Sequence, residues 1–413
     1  ERIASDGTNV SELSLVDELS QRAQSHSSVS RAGDRHVVLW QSEDENGTFV
    51  YGRVYDASGT GGTVFKVTSE DETASLPVVS GASDGSFVLS WDSVRTEDSG
   101  LYIREYDRDL NTTIAPTYVA SGKGAEITHV TDGNILLAWD GWAGNRDIYA
   151  RLLTSKVIEL SPALTLVGEL TQLNGIDEGA QINPSTATLL DGQFVTVWAD
   201  RAGADGSEGG IFGQIYNEDM TPVADAFQVN TITNSWQSKA RIASAPNGRF
   251  LVIWNHFSLL KAQFFDAQGA PDGEEFMITP NSGGGSVWSD AQGHFWVRNN
   301  VTIYKYANSG ELLSETVIDD GFTGLGITIL ADERFLVYGR TDDTSVHGST
   351  ITAQYYTNEL VATGEKFVLQ SLPSGVQSGF SVTALVDGGY VLTWQSLSDS
   401  SSGWDVYAQQ FDA

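Results

Sequence analysis

Short apolar segments of strand length recur along the whole chain, separated by tight turns and by acidic, polar loops. Six of them end in Trp: HVVLW at His36–Trp40, FVLSW at Phe87–Trp91, ILLAW at Ile135–Trp139, FVTVW at Phe194–Trp198, FLVIW at Phe250–Trp254 and YVLTW at Tyr390–Trp394. Two more, FWVRN at Phe295–Asn299 and FLVYG at Phe335–Gly339, keep the leading aromatic and lose the final Trp. Turn dipeptides stand just before them, as in Asp84-Gly85, Asp132-Gly133, Asp191-Gly192, Asn247-Gly248 and Asp387-Gly388. Each predicts a hairpin from a preceding strand.

A third segment follows each loop. It reads YGRVYD from Tyr51, FGQIYN from Phe212, KAQFFD from Lys261, TAQYYT from Thr352 and YAQQFD from Tyr407. A fourth short apolar stretch closes the repeat, as in VFKV from Val64, AFQVN from Ala226 and KFVLQ from Lys366. Four antiparallel strands repeated about every 50 residues are the pattern of propeller blades, none of which can bury both faces alone. Eight copies predict an all-β fold, an eight-bladed β-propeller forming a single domain over residues 1–413. Two sandwiches of four repeats each are the alternative.

The chain stops on a third-strand segment, YAQQFDA, and starts with ERIA, which reads as a fourth strand. Residues Glu1–Ala4 are therefore expected to complete the last blade on Tyr407–Phe411 and remove an open edge. Between them and the first blade, VSELSLVDELSQRAQ at Val10–Gln24 places Leu13, Val16 and Leu19 at helical spacing behind a capping Asn9 or Ser11. A helical insertion is expected over about 10–24. The Trp in register is expected to pack blade on blade with its indole N–H satisfied by a neighbour, and Tyr55, Tyr106, Tyr216, Phe265, Tyr356 and Phe411 to be core.

Charge narrows the partners. With 54 Asp and Glu against 23 Lys and Arg the formal net charge is -31, which repels phosphate backbones and anionic lipid. Nucleic acid and membrane insertion are not expected, and no apolar run approaches the ~18 residues of a membrane helix. The absence of Cys excludes disulfides, thiolate metal sites and a thiol nucleophile, and leaves the redox compartment undetermined. The opening residues ERIASDGTNV are not those of a signal peptide, so the start reads as a processed terminus or an excised piece.

The combined motif is aspartate-glycine, an aromatic, three residues, Trp, an acidic Gly/Ser-rich loop, then Tyr-Ala-Gln/Arg-x-Phe/Tyr-Asp. Its cleanest copy is VDGGYVLTWQSLSDSSSGWDVYAQQFDA at Val386–Ala413. It resembles a repeat of large secreted bacterial surface proteins, the calcium-dependent, type-I-exported adhesin and hemolysin-like class. The resemblance covers nearly the whole chain apart from two units between about 280 and 360. It implies an extracellular or cell-surface setting and a role in attachment, and supplies no catalytic motif. The glycine-aspartate nonapeptides that bind calcium in that class do not occur here.

Candidate chemistry falls in the loops joining second to third strands, which share one face with the blade-to-blade connections. Asp200, Asp205 and Glu208 form the densest acidic set. They read either as oxygen ligands for a hard cation such as calcium or as a solvated acidic face, since no loop has the spaced pattern of a calcium loop. Trp142, Trp236, Trp288 and Trp404 break the core register and fall in or beside these loops. With Arg146, Asp147, Gln237 and Asp405 beside them they read as sugar-stacking platforms, or as rings folded over the rim of their own blades. His256 and His347 fall in second-to-third-strand loops without a catalytic motif around them. The reading is a monomeric, non-enzymatic module that binds a glycan or peptide. A polysaccharide lyase or glycoside hydrolase is the alternative.

Overall fold

The computed structural model describes the chain except residues 1, 4–8, 11–13, 16–22, 45–46, 58, 70–71, 96–98, 132–133, 143–145, 159–160, 174–179, 202, 207–208, 281–284, 319–321, 331, 344–347, 372–375, 385–388, 398–403 and 412–413. It contains eight four-stranded antiparallel sheets; in seven of them consecutive strands are neighbours, and in the eighth the outer strand comes from the N-terminal part of the chain. The fold is the eight-bladed β-propeller that the repeat predicts. Blades 1 to 8 span residues 23–66, 73–120, 122–172, 181–228, 237–279, 285–317, 323–371 and 376–411. Two compact units divide them: residues 1–119 with 319–413, and residues 120–318. Among the described residues the only helical element is one 3-10 turn, Leu190–Gly192. Among the described residues no helix is long and apolar enough to cross a membrane.

The recurring aromatics explain why each blade holds together. The Trp ending the second strand lies opposite an aromatic near the start of the third: Trp40 faces Tyr51, Trp91 faces Tyr102, Trp139 faces Tyr149 and Trp394 faces Tyr407. These pairs stack, with centroids 5.4 to 6.3 Å apart. At the other end of the same ladder the first aromatic of the second strand meets the last of the third, as in Phe87–Tyr106, Phe194–Tyr216, Phe250–Phe265 and Tyr390–Phe411. All these residues except Tyr407, which is partly covered, are buried, as are Tyr55 and Tyr356. In blade 6 Trp296, one residue into the strand, supplies the buried bulk that the missing Trp would have given.

Within each unit the cores lie between blades. Trp91, Phe87 and Tyr106 of blade 2 pack with Val37, Leu39 and Val54 of blade 1. Trp254 and Phe250 of blade 5 pack with Val195, Val197 and Ile215 of blade 4. The indole N–H groups differ from expectation. Trp91 donates to Glu72, whereas those of Trp40, Trp139, Trp198, Trp254 and Trp394 are buried without an acceptor among the described residues.

The turns follow from the motif as well. The aspartate ending the third-strand segment folds back on the next turn: Asp56 accepts from Thr60 N at 2.9 Å, Asp107 from Asn111 N at 2.8 Å and Asp266 from Ala270 N at 2.8 Å. Each is an Asx-type closure of the third-to-fourth-strand hairpin. First strands adjoin one another within each unit and share a bulge, centred on His26, Leu76, Gly124, Asn183 and Lys239, all at positive φ. Past it the first strands come so close that a Cβ on Gly81 would overlap the Arg31 carbonyl, which is why that position is glycine.

Two expectations need correction. The strand completing blade 8 is Ser14–Leu15, with Ser14 opposite Ala408 and Leu15 opposite Tyr407. Residues Arg2–Ile3 pair instead with Asn9–Val10. In the segment 10–24 the described residues are all extended, because Ser14–Leu15 serves blade 8 and Ala23–Ala32 opens blade 1. The rest of the expected helix lies outside the described residues.

Candidate functional site

The best-defined arrangement on the loop face lies where blade 4 passes into blade 5, in the unit of residues 120–318. Its frame is a set of buried polar side chains that leave little slack. Asp200, fully buried at the end of a second strand, accepts from Gln181 Nε2 at 2.8 Å and from Ala204 N at 3.0 Å, pinning the loop that follows. Asn230, also buried, accepts from Ile211 N at 2.7 Å and donates to the Ile232 carbonyl at 3.2 Å and to Asp205 at 3.3 Å. Glu275 takes Thr231 N, Thr231 Oγ1 and Ile232 N on one oxygen, at 2.7, 2.9 and 3.1 Å, and pairs with Lys261 on the other. Burial pushes the Glu275 carboxyl up, but Lys261 and the donors of Thr231 and Ile232 outweigh it and hold it below the usual range.

Two more bonds fix the connection. His256 Nε2 donates to the Asn234 carbonyl at 2.8 Å, and Gln237 Nε2 to the Ile232 carbonyl at 3.2 Å. Gln237 lies directly opposite His256, so the residues just beyond that pair, Trp236 and Phe257, emerge together at one end of blade 5. Trp236 is 39% exposed and Phe257 is 71% exposed. The Arg201 guanidinium lies over the Trp236 ring at 4.8 Å. Phe257 sits in a two-residue turn at φ 54, a conformation that costs an ordinary side chain ~1 kcal/mol or more.

The other sequence candidates are placed differently. Arg146 pairs with Asp140, and Asp147 is buried, so both serve their own hairpin. Asp205 lies against Gly210, which is opposite Asp200, so these two acids shape the neck of one loop. Among the described residues no group of three or more His, Asp or Glu is arranged to hold a metal ion. Trp142 ends a second strand opposite Arg146 and Trp404 begins a third opposite Leu397, but both side chains, with those of Asp405, Glu208 and His347, lie outside the described residues. Trp288, expected in a loop, stands in the first strand of blade 6 opposite Trp296.

Sequence reading missed the buried glutamines behind this face. Gln24, Gln181 and Gln237 are fully buried and occupy the same place in the first strands of blades 1, 4 and 5. Their signal was a Gln three or four residues before a Ser or Arg that restarts the strand. It missed Glu72 too. This carboxylate lies in the connection before blade 2 and accepts from Ser69 N and Oγ on one oxygen and from Ser93 Oγ, Arg95 Nε and Trp91 Nε1 on the other. Burial raises it, and the donors from Ser93, Ser69, Arg95 and Trp91 bring it below the ordinary glutamate value.

No protein-family model matches the chain, and no curated protein matches it. Solved structures do. One titled as the structure of the Dos1 propeller is 12% identical with a TM-score of 0.54, covering 97% of this chain and 96% of that one. The β-propeller domain of the Trilobed protease from Pyrococcus furiosus is 11% identical at 0.46, over 85% and 98% of the two chains. An α-L-arabinofuranosidase from Fusarium graminearum, bound to an iminosugar inhibitor, is 9% identical at 0.42, over 80% and 90%. At such identities the likeness is one of fold alone.

Proposed function

We propose that the chain is a non-enzymatic recognition module that binds a glycan at the blade 4 to blade 5 corner, as part of a protein working outside the cell or at its surface. The observation that carries the reading is the exposed pair Trp236 and Phe257 on a frame of buried hydrogen bonds, with Arg201 laid over the indole. Aromatic planes offer a sugar ring apolar contact at little entropic cost, and the flanking polar groups orient it. The frame needs no adjustment, because the connection from Thr231 to Trp236 is already held at four points. Attachment, rather than turnover, is favoured by the use of the acids. Glu275 and Asp200, the acids framing the corner, are each engaged by several hydrogen-bond donors.

A glycan array with the labelled chain tests the reading. A bound set of glycans is expected, lost at least tenfold in Trp236→Ala and Phe257→Ala while both variants melt like the parent. Binding that ignores both substitutions, or binding confined to peptides, overturns it.

A further inference from the structure

We propose that the glycan taken at this corner carries a single carboxylate, a uronic acid unit among neutral sugars, and that Arg201 selects it. The inference rests on the glycan reading above and adds the substrate class.

It starts from how this chain uses its cations. Among the described residues five guanidinium groups pair with a carboxylate, and Arg31, Arg35, Arg53 and Arg104 donate to backbone carbonyls. Arg108 pairs with Asp34, Arg146 with Asp140, Arg249 with Asp272 and Arg334 with Asp332. Blade 2 carries the same parts as the corner, an arginine just after the second strand laid over an aromatic, with Arg95 above Tyr102 at 4.4 Å. There the guanidinium is closed off by Glu72, at 2.9 Å. Arg201 is exposed, and among the described residues it has no ion pair and no side-chain hydrogen bond; its guanidinium lies over the Trp236 ring. A guanidinium lying over a ring can still bond through the N–H donors at its edge. That edge fits a carboxylate through two parallel bonds, which an ammonium cannot offer.

The rest of the charge decides how many carboxylates the ligand carries. At -31 the chain repels a polyanion as a whole. Charges more than about 8 Å away are largely screened at physiological ionic strength, so one acid placed on Arg201 meets that cation and the acids of its own loop, of which Asp200 and Asp205 already accept from Gln181, Ala204 and Asn230. A pyranose against Phe257, with its carboxylate on Arg201 and neutral sugars running out over the loop face, satisfies both conditions.

Titration calorimetry tests this with a xylo-oligosaccharide bearing one glucuronic acid, the same oligosaccharide without the acid, and polygalacturonate. The single-acid ligand is expected to bind at least tenfold more tightly than its neutral counterpart, and polygalacturonate to bind more weakly than the single acid at low salt and to recover as salt is added. Arg201→Gln should abolish the preference for the acid and leave the melting curve unchanged. Equal binding of acid and neutral ligands, or a preference that survives Arg201→Gln, overturns the inference and leaves the glycan reading standing. Failure of every oligosaccharide, here and on the array, removes the reading and the inference with it.

Discussion

Replacing Glu72 by Gln changes one oxygen into an NH2 group, and blade 2 has no room for that change. The carboxylate is 3% exposed and receives donors on both oxygens, two from Ser69 on Oε1 and three from Trp91, Ser93 and Arg95 on Oε2. Whichever oxygen becomes nitrogen, donors face donors. At least one bond is lost, because the serine hydroxyls can turn to accept but Ser69 N, Trp91 Nε1 and Arg95 Nε cannot, and Arg95, a quarter exposed, loses its counter-charge. Leaving a buried donor unsatisfied costs ~1 to 3 kcal/mol and breaking a buried pair ~3 to 5, so a net loss of ~3 kcal/mol is the expectation. With an unfolding entropy of ~2.1 cal/mol/K per residue over 413 residues, that corresponds to ~3 °C in a cooperative melt. The pH dependence is the sharper assay. The folded value of Glu72 lies below the unfolded value of about 4.5, so its stabilising effect is present above pH ~4.5 and disappears as pH falls through the folded value. Urea midpoints of the parent and Glu72→Gln should lie apart between pH 7 and pH 5 and converge as pH falls towards 3. Equal midpoints at pH 7, or parallel curves, would refute the argument that this carboxylate organises blade 2.

Other expectations follow from the same contacts. Trp139→Ala removes a fully buried ring stacked on Tyr149 and should cost ~3 to 5 kcal/mol in urea unfolding, whereas Trp236→Ala should stay within ~1 kcal/mol; equal losses would place Trp236 in the core. Burial pushes the Glu126 carboxyl up to about 7, with Arg241 and Thr186 N opposing. The folded state therefore keeps this proton where the unfolded chain has lost it, and stability should decline between pH ~4.5 and ~7, an effect absent in Glu126→Gln. Deleting residues 1–8 should leave the melt nearly unchanged, while deletion through Leu15 exposes the edge of Trp404–Phe411 and should lower it by several degrees; a large loss from the shorter deletion would contradict the observed pairing. Because Asp200 and Asp205 are engaged within their loop, a chelator should shift the melt by less than ~1 °C, and a rise with millimolar calcium would return those acids to a metal.

The blades were legible because their signal is carried by bulk. An aromatic at each end of the second strand, a turn dipeptide before it and an aspartate after the third strand all do local work, in stacking pairs and in Asx-closed hairpins. Even blade 6 kept enough of that signal to be counted. The closing strand was not legible. Ser14–Leu15 makes only two residue pairs, and two residues carry no periodicity against the helical spacing of Leu13, Val16 and Leu19 around them. Pairing with Ala408 and Tyr407 is a tertiary gain that local pattern does not contain.

The corner itself was half legible. Trp236 stood out by breaking the core register. Phe257 did not, since a lone Phe after NH in NHFSLL reads as one more apolar residue of the strand. Only the register, with His256 opposite both Gln237 and Leu259, turns it into an exposed residue of a tight turn. Arg201 looked like one cation in an acidic loop. Among the described residues it has no ion pair, and the Asp200 and Asp205 carboxylates accept from Gln181, Ala204 and Asn230.

Hydroxyl-radical footprinting of the intact chain, with and without a glycan selected on the array, tests the central claim most directly. Trp236 and Phe257 react readily in the free protein because they are exposed, and both should be protected several-fold when ligand is bound, while the buried Trp40, Trp91 and Trp139 stay unreactive throughout. Protection that falls on other exposed side chains, such as Tyr118 or Leu312, with Trp236 and Phe257 unchanged, would contradict it.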